Sequence, residues 1–465
     1  MNHNISTLKV PLLFTFFSMV LSLPLLFPSP ALSDHPLLQQ IITAYNLEAN
    51  EKSLIDGTYR GEEGILRIKP EIAKSLGMRV FIDQDYLDSR KLFRKADKFL
   101  EKARMAMASQ KKEKFPGEHA QKIADNFLIS KKALDSAKKK LISYRSRLSS
   151  DVDDRLNRAV SAKVMNTLLK KSIKKTENQL RDALGHFYNI CQGVSEKNSP
   201  LTPENVRFVN GIFRQFIGQA PEKALNMFDL DRDIGYRNKN LPYNWKDALG
   251  KEGSQYIPLL EAAFKKSEDK AYAVDPLLFM ALMRRESNFD SLAISHVGAA
   301  GLTQIMPETA RNLGMKNIYM PGYFSEAISF MQQERKTRAQ AMDTLSQIDE
   351  KNRLHHATKA RELMQKCLVL GRKKERLFAR YRKKLLQKRN DDRLNPAKAI
   401  EYGLKYFAGL MGDQKGDISL ALASYNAGPH RVEKFRGIPP YEETVRFRNQ
   451  VLRYYREYRK KGEGN

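Results

Sequence analysis

Cysteine is nearly absent: Cys191 and Cys367 are the only two in 465 residues. A disulfide framework is therefore excluded, and one bridge is the most an oxidising compartment could form. Nothing in the sequence brings the two together. The eight histidines fall into no metal-ligand spacing, and the adjacent His355-His356 pair reads as a solvated helix face. No metal and no cofactor is expected. Negative charge is also scarce. Asp and Glu total 53 against 81 Lys and Arg, a formal charge of +28, which attracts polyanions. Proline is missing from the whole stretch between Tyr323 and Arg393, so nothing there interrupts long helices.

The start of the chain decides which polyanion. Lys9 precedes an apolar run from Val10 to Phe27, followed by Pro28-Ser29-Pro30-Ala31-Leu32-Ser33-Asp34. A basic start, an apolar stretch and small residues before Asp34 make residues 1–33 a secretory signal peptide, cleaved after Ser33. A retained membrane anchor is the alternative, because the run is nearly long enough to span. With no cysteine at the cleavage point, a lipid anchor there is excluded. Either way the body of the protein is placed in the periplasm or cell envelope. Nucleic acid is then a poor partner, and anionic envelope polymers or the membrane surface replace it.

The remainder divides by composition. Residues 34–90 form a small mixed segment, in which Gly57, Gly61, Gly64 and Pro70 break any long period and Gly64–Ile68 reads as a short strand. Residues 91–190 form a basic amphipathic helical region, a hairpin or bundle. There Phe127, Leu134, Leu141 and Leu148 keep a seven-residue spacing, as in a coiled coil. Residues 191–253, punctuated by Pro200, Pro203, Pro221 and Pro242, read as a helical connector. Residues 254–465 form a last domain, interrupted at 324–393 by a basic helical insertion best drawn as an antiparallel hairpin.

Chemistry concentrates in that last domain. Pro276 to Arg285 is an apolar helix, and Glu286 closes it before Ser287-Asn288, residues that tend to leave helical geometry. A carboxyl group at the exit of a buried helix is partly desolvated, stays protonated near neutrality and suits general acid work. Alone, such a Glu is more often a surface residue paired with a neighbour such as Arg285. Downstream stands Gly298-Ala299-Ala300-Gly301-Leu302-Thr303-Gln304-Ile305-Met306-Pro307. Its glycines allow tight turns and close approach to a ligand. Gln304 offers a sugar-binding amide, and Met306 a polarizable apolar surface. A third string, Ala421-Leu422-Ala423-Ser424-Tyr425-Asn426-Ala427-Gly428, ends a small-residue helix with an aromatic that can stack on sugar.

In this order the three strings resemble the catalytic domain of the soluble lytic transglycosylases, which cleave bacterial peptidoglycan. The resemblance covers roughly the last two-fifths of the chain, the insertion excepted. It implies a mainly α protein in which a lysozyme-like α+β catalytic domain follows the basic helical region. It implies Glu286 as the catalytic acid, and Ser287, Gln304, Met306, Tyr425 and Asn426 as substrate-binding residues. It also implies peptidoglycan glycan strands as the substrate, with the bond between N-acetylmuramic acid and N-acetylglucosamine broken to leave 1,6-anhydro ends. A lysozyme-like muramidase that uses water, and a silent peptidoglycan-binding scaffold, are the competing readings. The segment Pro440-Tyr441-Glu442-Glu443-Thr444-Val445-Arg446-Phe447 also resembles the family, with Phe447 where a tyrosine is usual.

Overall fold

The computed structural model describes residues 60–64, 66–115, 117–176, 179–194, 200–217, 249–266 and 274–462. The signal segment and most of the connector lie outside these. The described part is helical throughout, and its only β pairings are the isolated bridges Glu63–Ile68, Ile294–Ala300 and Ala300–Ile305.

In chain order the helices are α1 (Pro70–Ser75), α2 (Gln84–Ala108), α3 (Glu118–Arg145), α4 (Arg158–Lys175), α5 (Leu180–Gln192) and α6 (Val206–Ile217). Further along come α7 (Gly250–Ser254), α8 (Ile257–Lys265), α9 (Pro276–Ser287), α10 (Pro307–Leu313), α11 (Gly322–Ser346) and α12 (Arg353–Lys388). Then follow α13 (Pro396–Asp413), α14 (Ile418–Ala427), α15 (Pro429–Phe435) and α16 (Glu442–Gly462). None is long and apolar enough to cross a membrane.

Three boundaries drawn from composition fall inside helices. Asp83 caps α2 by accepting from the Tyr86 N–H, so this helix starts ahead of the periodicity seen from Leu92 and crosses the 90/91 limit. The 190/191 limit cuts α5, and the 253/254 limit cuts α7. The polar first turn of α2 carries no apolar period, which is why composition placed that edge late.

Helices α2 and α3 form one antiparallel hairpin, α11 and α12 another. In the first, Lys140 and Ser143 reach Asp85 while Ser130 donates to the Ala96 carbonyl at 2.7 Å. In the second, Lys374 donates to Glu334 at 2.7 Å. The hairpin tips share a core of small residues, including Ala103, Ala120, Ala124, Ala341, Ala357 and Ala360. Alanine at these positions lets the helices approach closely. Polar ties between the hairpins, such as Lys132 with Glu350 and Arg361 with the Ala106 and Ser109 carbonyls, gather in the same outer region.

The largest core lies in the last domain. It wraps α9, whose residues Leu277 to Met283 are all buried, with α8, α13, α14 and α16. A helix apolar all round belongs at the centre of a bundle, and α9 occupies that place. Cys191 and Cys367 are free thiols in two different cores, so the permitted disulfide does not form.

Candidate active site

Helix α9 delivers Glu286 to the surface in its last turn. Asp275 caps the start by accepting from the Leu277 N–H at 2.8 Å, and Pro276 supplies the first turn. At the other end Asn288 and Phe289 adopt φ of 50° and 65°, a left-handed exit that turns the chain away directly beyond the acid. Glu286 is half-buried, with dense protein around its carboxyl group. Burial pushes its carboxyl up to about 8, with Glu443 adding to the rise and Arg285 opposing it. It is therefore protonated at neutral pH.

Tyr425, on α14, interacts electrostatically with the acid. Its hydroxyl donates to the Thr303 carbonyl at 2.6 Å. Burial raises its pKa well above the usual phenol value, and the neighbouring Glu286 and Tyr406 reinforce this. Its ring stacks parallel to Phe447 with centroids 6.5 Å apart, and Arg285 covers the Phe447 ring at 5.6 Å. Phe447 is almost completely buried. A hydroxyl there would point into packed core, so the phenylalanine suits its surroundings.

The glycine-rich loop follows α9 and is tied to it through Ser287 and the Leu302 carbonyl. Gly301 has φ of 77°, and a Cβ there would sit 1.7 Å from the Arg393 carbonyl oxygen. Only glycine fits. Gln304 also has positive φ, and its side-chain amide donates to the Ala293 and Gly301 carbonyls at 2.9 and 2.8 Å. Its N–H groups thus hold the loop, leaving the amide oxygen as the group able to meet ligand. The Ser287 hydroxyl is similarly engaged, donating to the Met283 and Leu302 carbonyls, and it ties α9 to the loop. Asn426 accepts from Thr444 at 2.8 Å, which joins α14 to α16. Met306 is half-buried beside the core that links the loop to the second hairpin.

Four residues assigned to the insertion, Phe324, Tyr381, Asp391 and Arg393, belong to the site's scaffold. Arg393 is fully buried. It pairs with Asp391 at 2.8 Å and donates to the Tyr381 hydroxyl at 2.7 Å and to the Gly298 and Ile305 carbonyls at 3.0 and 3.1 Å. One guanidinium therefore fixes both ends of the loop, and five fork-like donors are what such a clamp needs. The 324–393 limits are corrected accordingly. The base of the hairpin, at Phe324 and Tyr381, is part of the domain's own core, and the protruding part is the outer hairpin.

Residues 263–329 and 374–443 match the family model described as the Transglycosylase SLT domain. The chain carries an SLT transglycosylase domain. Its matched stretches contain Glu286, the loop, Arg393 and Tyr425, and the gap between them is the outer hairpin. Over 50 residues the chain is 44% identical to a "Transglycosylase" of Enterobacteria phage PRD1. That match covers 11% of this chain and spans only 19% of the curated relative. Similar solved structures include the lytic transglycosylase Slt of Pseudomonas aeruginosa, an inactive mutant, at 13% identity and TM-score 0.27, covering 91% of this chain and 72% of that one. Another is the 70 kDa soluble lytic transglycosylase of Escherichia coli, at 14% identity and TM-score 0.26, covering 91% and 70%.

Proposed function

We propose that the protein is an exported peptidoglycan lytic transglycosylase whose single acid-base group is Glu286. What supports this is the placement of Glu286 at the end of the buried helix α9, half-buried, electrostatically coupled to Tyr425 and with burial pushing its carboxyl up to about 8. Glu286 donates its proton to the glycosidic oxygen as the bond to C1 of N-acetylmuramic acid breaks. The 2-acetamido oxygen of the same sugar closes onto C1 and holds the developing charge. The Glu286 carboxylate then removes the C6 hydroxyl proton. That oxygen attacks C1, releases the acetamido group and leaves a 1,6-anhydro end, with Glu286 protonated again.

Desolvation serves both half-reactions. It holds the proton until a glycosidic oxygen arrives, and it makes the later carboxylate a stronger base. The Gln304 amide oxygen and Tyr425 would orient the sugar ring. The strong positive charge suits a polyanionic envelope, and the N-terminal signal gives the route there.

Hydrolysis is the second reading, and Glu443 favours it. This exposed carboxylate on α16 acts electrostatically on Glu286, and a second carboxylate could activate water. Product mass separates the two, because an anhydro product is lighter by one water. Mass analysis of fragments released from purified sacculi by wild type and by Glu443→Gln should show anhydro ends from both. Hydrated ends from wild type would replace the proposed reaction with hydrolysis.

A further inference from the structure

The first half of the chain repeats the second. The pentapeptide Asp153-Asp154-Arg155-Leu156-Asn157 recurs as Asp391-Asp392-Arg393-Leu394-Asn395. Gly61, Gly64, Ile68, Pro70, Glu71, Ala73, Leu76, Gly77 and Met78 stand in the same register as Gly298, Gly301, Ile305, Pro307, Glu308, Ala310, Leu313, Gly314 and Met315.

The geometry repeats with the letters. Arg155 is fully buried, pairs with Asp153 at 2.8 Å and donates to the Tyr144 hydroxyl and to the Gly61 and Ile68 carbonyls at 2.8 and 3.1 Å. Those are the contacts of Arg393, partner for partner. A Cβ on Gly64 would lie 1.7 Å from the Arg155 carbonyl oxygen, as one on Gly301 would from that of Arg393. Arg67 has φ of 47° where Gln304 has 46°. Tyr144 donates to the Phe81 carbonyl and stacks on Phe81, as Tyr381 does with Tyr319, at 2.9 Å in both. Each buried tyrosine sits at the root of a helical hairpin.

The two units face each other as an isologous pair does. Asn210 of α6 donates to the Ile438 carbonyl and Asn449 of α16 to the Leu201 carbonyl, both at 2.8 Å. Helices α5 and α14 meet near their N-termini, where Arg181 grips Asp417 with two bonds of 2.6 and 2.7 Å. The next residue, Asp182, pairs with the buried Arg448, next to Phe447. Asp417 is the cap of α14, the helix that carries Tyr425 and Asn426.

The loop of the first unit has lost the catalytic one's character. Glu62, Glu63, Arg67 and Lys69 replace Ala299, Ala300, Gln304 and Met306. Glu62 pairs with Lys69 at 3.6 Å and Glu63 with Arg145 at 3.3 Å. In sequence, Glu48-Ala49-Asn50 precedes this loop much as Glu286-Ser287-Asn288 precedes the other, but it lies outside the described residues.

We infer that residues 60–217 are a second, non-cleaving copy of the SLT unit, retained as a positioning lobe that holds α14 and α16 of the catalytic copy through Arg181 and Asp182. The inference rests on the proposed role of Glu286 as acid. Three charged or titratable groups face that acid: Arg285 from α9, Tyr425 from α14 and Glu443 from α16. If α14 and α16 drift, water enters and Glu443 recedes. Both changes move the Glu286 carboxyl toward the ordinary carboxylate range.

The test follows the Glu286 carboxyl in the full-length protein by difference infrared titration against Glu286→Gln, beside the pH profile of sacculus clearing. Arg181→Met and Asp182→Asn should each lower the midpoint by one unit or more and shift the alkaline limb of the rate profile with it. Should either fail to fold, Arg181→Lys, which keeps the charge, should give a smaller shift in the same direction. A role confined to stability would change amplitude and leave the midpoint in place, and that result would overturn the positioning role. Glu48→Gln should clear sacculi at the wild-type rate, and a tenfold loss would overturn the non-cleaving assignment. The titration reads the positioning role even if wild type releases nothing, which would sink the proposed function separately.

Discussion

The two SLT-like units share one frame and differ in what the frame holds. Both clamp a glycine loop with a buried arginine, both root a hairpin on a buried tyrosine, and both begin the following helix at an Asn cap, Asn157 and Asn395. Around the second loop the side chains are Ala299, Ala300, Gln304 and Met306; around the first they are Glu62, Glu63, Arg67 and Lys69. A frame is thus kept by a few buried polar contacts and glycines, whereas the proposed chemistry depends on burying one carboxyl group. The comparison teaches that fold and activity are written in different residues of the same segment.

Four predictions probe this contrast, in falling order of effect. Glu286→Gln should lower lytic activity by about 10²–10⁴-fold, the range for losing a general acid; sacculus-clearing rates check it. Activity that survives would move catalysis elsewhere, Glu48 first. Next, Arg155→Met and Arg393→Met should each destabilise the protein by about 3–5 kcal/mol, because each strands a buried carboxylate and several carbonyls. Denaturant unfolding reads this. Equal costs would sharpen the picture of matched clamps, and a negligible cost for Arg155→Met would break it.

Gly64→Ala and Gly301→Ala come third. Each forces a Cβ onto a backbone oxygen at positive φ and should cost at least about 1–3 kcal/mol. Only Gly301→Ala should also reduce turnover beyond the effect of lost folded protein. Fourth, Glu286→Gln should stabilise the protein at pH 8, by about 1 kcal/mol once solvent screening of this half-buried group is allowed for. The sign follows from the raised pKa. The folded state binds the proton more tightly than the unfolded one, so Glu286 erodes stability as pH climbs from the ordinary carboxylate range toward about 8. Melting curves of both proteins at pH 5 and pH 8 should converge at the lower pH.

Much of the catalytic unit was legible because its strings are local. The apolar run before Glu286, the Gly298–Pro307 loop and Tyr425-Asn426 are each contiguous in sequence, and their order alone pointed to one family domain. The second hairpin was legible from apolar period and missing proline. The clamp was not, since Arg393 reads as one more basic residue at the end of a basic stretch, and its carbonyl partners lie far away in sequence. The first unit escaped for a related reason: the letters that announce the chemistry had gone, leaving glycines, a proline and a cap that look like ordinary loop residues. The repeated Asp-Asp-Arg-Leu-Asn string was the available signal for both.

The account stands on the protonation of one carboxyl group, and infrared titration of wild type against Glu286→Gln measures it directly. A carbonyl stretch of protonated acid that persists at pH 7 and fades around pH 8 is the predicted result. A stretch already lost by pH 5 would contradict it, because a group ionised at neutrality has no proton to give a leaving sugar.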